Sequence, residues 1–326
     1  MKIIITGATG SLGAYLVRHF AKAGHEIVAL GRTAEPPQKL LELAKSYISA
    51  DITEPFSLPE ADLCIHAAAM SDDSGSKDDF YQANVLGTEH VLTAAAKCNT
   101  FIQVSSSSVY YPSEQTLEES DAGKPSLDKL SNYGWSKLLA DQAVEKSDLN
   151  ERVFILRPRV LYGPGDKMIM PRLMRMVRNE TFNCPGPMDI AVSMTHYDNF
   201  CHAIEACLAS PLRGTHIFNL ADEETYQLID ASRMILEAIY GRRLAERQIP
   251  VGIVKLLGRL HLGGLSPLLV RALTKPMVLD QSAIKTHTNY QAKRSLQESL
   301  SEISAWVKQI GGAEVLAKAD RTLPWL

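Results

Sequence analysis

Two hydrophobic periods alternate along the first half of the chain. Lys2–Thr6 (KIIIT) is an unbroken run rich in β-branched residues, the pattern of a strand covered on both faces. Leu12–Ala23 places apolar residues at helical spacing and ends at Gly24, a residue that terminates helices. The pair then recurs. Strands are expected at His25–Gly31, Tyr47–Ala50, Asp62–Ala68, Phe101–Ser105 and Val153–Arg157, and helices at Lys39–Lys45, Phe80–Lys97 and Asn132–Lys146. Such alternation predicts an α/β fold with a parallel sheet and helices on both faces. After Arg159 the rhythm breaks at the Gly163-Pro164-Gly165 turn, and a short helix rich in Arg and Met is expected at Pro171–Asn179. Tyr197–Ala209 has a helical period and Thr215–Leu220 reads as a strand, so parts of 190–225 are expected to complete the sheet. The expected division is a first domain over 1–160 and a smaller, mostly helical lobe over 161–326, with return segments to the core.

Composition narrows the class. Of 326 residues, 45% are apolar and 22% charged, which excludes wholesale disorder. A net charge of −3 argues against an evenly basic nucleic-acid coat, so no nucleic-acid partner is expected. Cys64, Cys98, Cys184, Cys201 and Cys207 are scattered and form no CxxC pair, so they read as buried thiols in a reducing, cytoplasmic setting, with no metal site. No run is long and apolar enough for a transmembrane helix, and the first apolar run stops at Gly7, too short for a signal peptide.

The first strand–helix junction carries chemistry. Thr6-Gly7-Ala8-Thr9-Gly10-Ser11-Leu12-Gly13 lies where a dinucleotide loop belongs: glycines allow positive φ and close backbone approach to a pyrophosphate, and the helix N-terminus offers free N–H groups. Tyr133 and Lys137 are four apart on an expected helix and share one face. A phenol is a poor acid or base at neutral pH, and a neighbouring ammonium favours its ionised form.

The GxxGxxG spacing, Asn84, Tyr133-Gly-Trp-Ser-Lys137 and Leu156-Arg-Pro-Arg-Val-Leu-Tyr-Gly-Pro-Gly165 together closely resemble the extended short-chain dehydrogenase/reductase superfamily, the epimerase/dehydratase family. His66-Ala67-Ala68-Ala69, Asn84-Val-Leu-Gly-Thr88 and the serine run Val104–Tyr110 match in order, so the likeness covers nearly the whole chain. It implies a Rossmann-type doubly wound sheet with a smaller C-terminal substrate lobe. It implies Ser106, Tyr133 and Lys137 as the catalytic set, with Asn84 in a structural or proton-relay role, and a homodimer built from the helices of Asn84 and Tyr133. Gly7, Thr9, Gly10, Ser11, Leu12, Gly13, Asp51, Ile52, Ala67, Ala68, Ala69, Pro158, Tyr133 and Lys137 would contact the cofactor, Asp51 at the adenine. Met70, Ser107, Val160 and Met168 are the expected substrate-pocket residues.

Cofactor type turns on the end of the second strand. NAD-binding relatives place an acid there for the ribose 2′-hydroxyl, whereas this chain has Gly31-Arg32. Arg32 could grip a 2′-phosphate, so NADP(H) is preferred over NAD(H). Three functions compete: carbonyl reduction, sugar-nucleotide epimerisation and dinucleotide sensing. A dehydratase would resemble Thr-Asp-Glu where this chain has Ser106-Ser107-Ser108. An intact Ser–Tyr–Lys set places the sensor last.

The C-terminal half resembles the 3β-hydroxysteroid dehydrogenase-like branch, through Leu156–Asp166 and Met194–Asn199, and points to a mainly apolar carbonyl substrate. The segment 249–275 carries Ile253, Val254, Leu256, Leu257, Leu260, Leu262, Leu265, Leu268, Leu269 and Leu273, punctuated by Lys255, Arg259 and Arg271. It reads as an amphipathic helix pair packed on the core, with a peripheral membrane contact as the lesser alternative. Six methionines between Met168 and Met194 suit either an adaptable pocket or a core face. Arg172, Arg175 and Arg178 suit a diphosphate or a solvated helix face. Tyr111 stands where the family often has Gly, and the tail 311–326 has no assigned role.

Overall fold

A computed structural model of the chain describes residues 1–71, 75–148, 150–260 and 266–318. Strands β1 (Lys2–Thr6), β2 (Glu26–Gly31), β3 (Ser46–Ser49), β4 (Leu63–His66), β5 (Thr100–Val104) and β6 (Arg152–Pro158) alternate with helices α1 (Ser11–Lys22), α2 (Gln38–Leu43), α3 (Lys77–Tyr81), α4 (Gly87–Ala94) and α5 (Asn132–Glu145). Short strands β7 (Leu161–Tyr162), β8 (Val177–Arg178), β9 (Thr181–Pro185), β10 (Ala191–Val192) and β11 (Thr195–His196) follow, with α6 (Ile169–Arg175) among them. Then come α7 (Tyr197–Ala209) and β12 (Gly214–Leu220). The seven-stranded sheet runs β12-β6-β5-β4-β1-β2-β3, and every pairing in it is parallel. The order reverses between β1 and β4, the crevice where such sheets bind ligands.

The isoleucines of β1 explain the unbroken apolar run. Ile3 and Ile5 join one buried cluster, with Phe20 of α1 and Phe200 of α7. Ile4 joins the opposite cluster, with Val28, Cys64, Val91 and Val153. Both faces of the sheet are therefore covered by helices, as the Rossmann-type expectation requires.

Most of the remaining elements form the lobe: β13 (Tyr226–Gln227), α8 (Leu228–Tyr240), β14 (Ala245–Ile249), α9 (Val251–Arg259) and α10 (Pro267–Thr274), then α12 (Leu296–Gln309) and α13 (Ala313–Lys318), whereas the intervening α11 (Ser282–Thr288) returns to the sheet, where Ile284 joins the cluster of Ile3 and Phe200. A separate cluster holds this region together, with Tyr162, Met170, Met174, Met188, Met194, Ile235, Ile303 and Trp306 buried in it. Four of the six clustered methionines are thus core side chains. Arg175 donates through Nε to the Ala317 carbonyl at 3.1 Å, so it ties α6 to α13. Within the tail, Leu316 is fully buried in the lobe core, and residues 319–326 lie outside the described residues.

Two expected helices need correction. Phe80–Lys97 is not one regular helix: α3 and α4 flank a π-helical turn at Gln82–Leu86. Asn84 lies in that turn, and its bonds to distant groups outweigh regular spacing, a demand that the apolar period does not carry. The helix expected at Pro171–Asn179 runs instead over Ile169–Arg175, and the chain then enters the β8–β9 hairpin, whose turn holds Asn179 and Glu180 at positive φ (47° and 56°).

Segment 249–275 forms α9 and α10. Val254 and Val270 are buried, while Ile253, Leu256 and Leu260 are about half exposed or more (49%, 56% and 57%). Leu262 and Leu265 lie outside the described residues, as does the side chain of Leu268. Among the described residues no helix is long and apolar enough to cross a membrane. All five cysteines are buried, and burial pushes their thiols up, to about 11 in Cys98 and Cys184, about 12 in Cys207 and well above the usual value in Cys64 and Cys201.

Candidate active site

The glycine loop is built by backbone contact. Gly7 has φ +67° and lies against Ala67 and Ala68, where a Cβ would sit 2.8 Å from Ala68 Cα. A Cβ on Gly13 would meet the Gly7 carbonyl at 2.1 Å. The Gly10 N–H donates to the Gly7 carbonyl at 2.9 Å. Gly10 also begins α1 without any side-chain cap, so no side chain takes the first N–H groups of this 12-residue helix. A collision-limited cradle below an uncapped helix fits a pyrophosphate. Thr9 lies beside Gly31 at the end of β2, and Leu12 packs on the core. The Ser11 hydroxyl accepts from the Lys167 N–H at 3.1 Å, so its side chain latches the loop to the segment after β7.

Beneath the loop, one polar chain joins β1, β4 and α4. Thr6 Oγ1 accepts from the Ala68 N–H (3.1 Å), and Thr88 Oγ1 donates to the Asn84 carbonyl (2.6 Å). These bonds leave Thr6 to donate to His66 Nδ1 at 2.7 Å, and His66 Nε2–H to donate to Thr88 at 3.1 Å. The imidazole is therefore neutral, and burial followed by the Lys137 charge lowers it to about 3. Ala69, unlike Ala67 and Ala68, is exposed.

At the far end of the sheet Arg32 is exposed, and among the described residues its guanidinium makes no hydrogen bond. Asp51 accepts from the Thr53 N–H (3.0 Å) and hydroxyl (2.9 Å), and these bonds, led by the backbone one and helped by the Arg32 charge, hold its carboxyl below the usual range. Arg32 and Asp51 therefore form one charged corner. Ile52 is buried beneath Gly87, and its carbonyl accepts from His90 Nδ1 at 2.9 Å.

Helix α5 brings the catalytic candidates together. Ser131 caps it, accepting from the Gly134 N–H at 3.0 Å. A Cβ on Gly134 would lie 2.1 Å from the Ser108 carbonyl, so this glycine lets the helix meet the serine run. Tyr133 is thereby brought close to Ser106, whose hydroxyl in turn is bonded to Ser108 (3.2 Å). Burial pushes the phenol up and the Ser106 hydroxyl draws it down. Lys137 does not supply that lowering here: its ammonium is buried and donates to the Val104 carbonyl at 2.6 Å. Burial lowers it to about 8, with Asp141 opposing.

Asn84 is engaged on three sides. Its Oδ1 accepts from the Met70 N–H (2.7 Å), and its Nδ2 donates to the Met70 carbonyl (3.0 Å) and to Ser136 Oγ (2.9 Å). It pins the loop after β4 to α5. Pro158 closes β6, buried and paired with Leu220.

Sequence reasoning missed the support below this set. Asp141, one turn beyond Lys137, is fully buried and accepts from Ser105 Oγ (2.8 Å) and Arg157 Nε (3.0 Å). Arg157 also donates to Tyr110 Oη (3.2 Å) and the Glu119 carbonyl (3.0 Å). Burial pushes the Asp141 carboxyl up, while Arg157 and then Lys137 pull it down. The continued four-residue spacing from Tyr133 was the available signal.

In front of Tyr133 lies a cleft of about 370 Å³. Phe80, Leu130 and Pro267 form apolar wall, and Lys129 and Arg271 add charge. None of the four expected pocket residues lines it. Ser107 is buried, Met70 is anchored by Asn84, Met168 leads into α6, and Val160 holds a strained φ of +45° with its carbonyl bonded to the Thr195 N–H. Elsewhere, His196, Asp198 and Glu302 come close enough to hold a cation, but Arg294 already pairs with both acids, at 3.4 and 2.9 Å.

The chain is similar to proteins of known family and fold. The family model for the NAD dependent epimerase/dehydratase family matches residues 3–221. A 2-alkyl-3-oxoalkanoate reductase of Stenotrophomonas maltophilia is 30% identical over 208 residues, 61% of this chain and 62% of that protein, so the match spans less than two thirds of it. A reductase of the same name from Shewanella oneidensis is 25% identical over 92% of this chain and 85% of its own length. A UDP-glucose 4-epimerase of Vibrio cholerae is 26% identical over 92% of this chain and 93% of its own. Among solved structures, UDP-glucuronic acid 4-epimerase from Bacillus cereus in complex with NAD has the same fold, with a TM-score of 0.75 at 23% identity, covering 95% of this chain and 99% of that one.

Proposed function

This chain belongs to the NAD dependent epimerase/dehydratase family, an enzyme of the NAD(P)-dependent short-chain dehydrogenase/reductase kind, and we propose that it reduces the carbonyl of a mainly apolar substrate with NADPH. The observation that carries this reading is that α5 and the serine run bring Tyr133, which lines the cleft, close enough to Ser106 for its hydroxyl to act on the phenol. The two reductase relatives support the reaction class.

Each residue then has a task. The glycine loop and the start of α1 hold the pyrophosphate, Arg32 the 2′-phosphate and Asp51 the adenine. The bound dinucleotide supplies the hydride. Ser106 donates a hydrogen bond to the substrate oxygen as negative charge develops on it. Tyr133 gives that oxygen its proton. Lys137 would hold a ribose hydroxyl of the dinucleotide with its buried ammonium. Asp141 and Arg157 keep the helix and the serine run in register, which makes them positioning residues. A homodimer through the helices of Asn84 and Tyr133 completes the proposal.

The runner-up is a sugar-nucleotide epimerase that retains its cofactor, supported by the Vibrio cholerae relative. Titration of cofactor-stripped protein with NADPH and NADH separates the two. At least tenfold tighter NADPH binding, about 1.4 kcal/mol, is expected. Co-purified NAD that resists removal would overturn the reading in favour of the epimerase.

A further inference from the structure

Tyr111, the bulky residue that departs from the family pattern, lies within reach of two cations. Arg271 Cζ is 5.1 Å and Lys129 Nζ 5.9 Å from its ring centroid. Arg271 Nη1 also donates to the Lys129 carbonyl at 3.0 Å, tying α10 to the segment just before the catalytic helix. Ring and carbonyl fix the guanidinium in place, but neither neutralises it. Among the described residues no carboxylate pairs with Arg271 or Lys129, whereas Arg157, Arg233 and Arg294 all have acidic partners. Two like charges held at one ring repel each other until an anion joins them.

Both cations line the cleft that contains Tyr133, alongside apolar Phe80, Leu130 and Pro267. We infer that the substrate carries a carboxylate bound by Arg271 with help from Lys129, so that the substrate is an oxo acid with a hydrocarbon body. This rests on the reductase reading for the carbonyl at Tyr133. The planar guanidinium matches a carboxylate with paired N–H donors. Arg271 is thus a specificity-determining residue, set apart from the reacting atoms.

Binding and turnover test the two readings separately. The full chain is titrated with dodecanoate and with dodecanol, neither of which it can reduce. Wild type is expected to prefer dodecanoate, and Arg271→Met to lose at least tenfold of that preference. Lys129→Met should lose less, and added salt should weaken the preference in wild type. The same preference in wild type and Arg271→Met overturns the inference, as does UDP binding more tightly than dodecanoate in competition for the site. In turnover with NADPH, 3-oxododecanoate should exceed its methyl ester at least tenfold in kcat/KM, with the loss in Arg271→Met falling on KM. Selective dodecanoate binding without reduction of acid or ester would keep the carboxylate site and sink the reductase. Reduction of acid and ester with equal efficiency would keep the reductase and sink the carboxylate site.

Discussion

Arg157 and Arg271 lie at opposite ends of one helix and use the same side chain in opposite ways. Arg157, against the second half of α5, is buried and bonds Asp141, Tyr110 and Glu119. Arg271, beside the first turn of that helix, is partly exposed, fixed near a ring and a carbonyl, and has no acidic partner among the described residues. A charge that must never move is enclosed and satisfied, because leaving a buried partner alone is costly. A charge intended for a ligand stays wet, since its desolvation can then be compensated by the ligand itself. The region behind Tyr133 is thus read as machinery and the region in front of it as selection.

That division can be broken in four places. The largest effect is expected from Tyr133→Phe, which should cost about 10²–10⁴-fold in turnover and leave dinucleotide binding largely intact. Steady-state rates beside a cofactor titration check it, and comparable turnover would remove Tyr133 from the machinery. Next, Asp141→Ala strands Arg157 and should cost about 3–5 kcal/mol of stability, read from urea unfolding. Exposed Arg32→Ala should leave stability unchanged and lower the NADPH preference about 10- to 100-fold, the worth of one charge-assisted contact.

The fourth concerns Lys137, and its informative readout is the pH dependence of stability. Its ammonium is lowered from the ordinary 10.5 to about 8 by burial, so the unfolded chain binds more protons between those values. Its charge therefore costs stability below about pH 8, and the cost fades as pH rises towards 10.5. Lys137→Met should be inactive yet gain stability at pH 7, and the gain should shrink above pH 8. Melting curves across that range give the sign, and a gain that grew with pH would contradict it.

The two regions were unequally legible in the sequence. Strand β1 could be read because Ile3, Ile4 and Ile5 face covered surfaces on both sides, and burial on both faces leaves an unbroken apolar run. Tyr133 and Lys137 could be read because one helix fixes their relation. The π-helical turn could not, since Asn84 is held by Met70 and Ser136 across gaps of 14 and 52 residues. Arg271 lies 142 residues from the carbonyl that fixes it, and no local period records such a contact. Val160 and Met168, expected in the pocket from the family resemblance, do not line the cleft, whose wall draws on residues as far apart in the chain as Phe80 and Arg271. Backbone and helix geometry are written locally; a cleft wall assembled from distant segments is not.

The five buried thiols give the protein its own clock. With every cysteine enclosed and its thiol held above the usual range, modification in the native state must wait for the structure around it to open. Cys64, Cys201 and Cys207 report from the sheet core, while Cys184 reports from the lobe. Labelling rates at these positions, resolved by peptide mass, would therefore time the two halves independently. A ligand that seats itself between them should slow both.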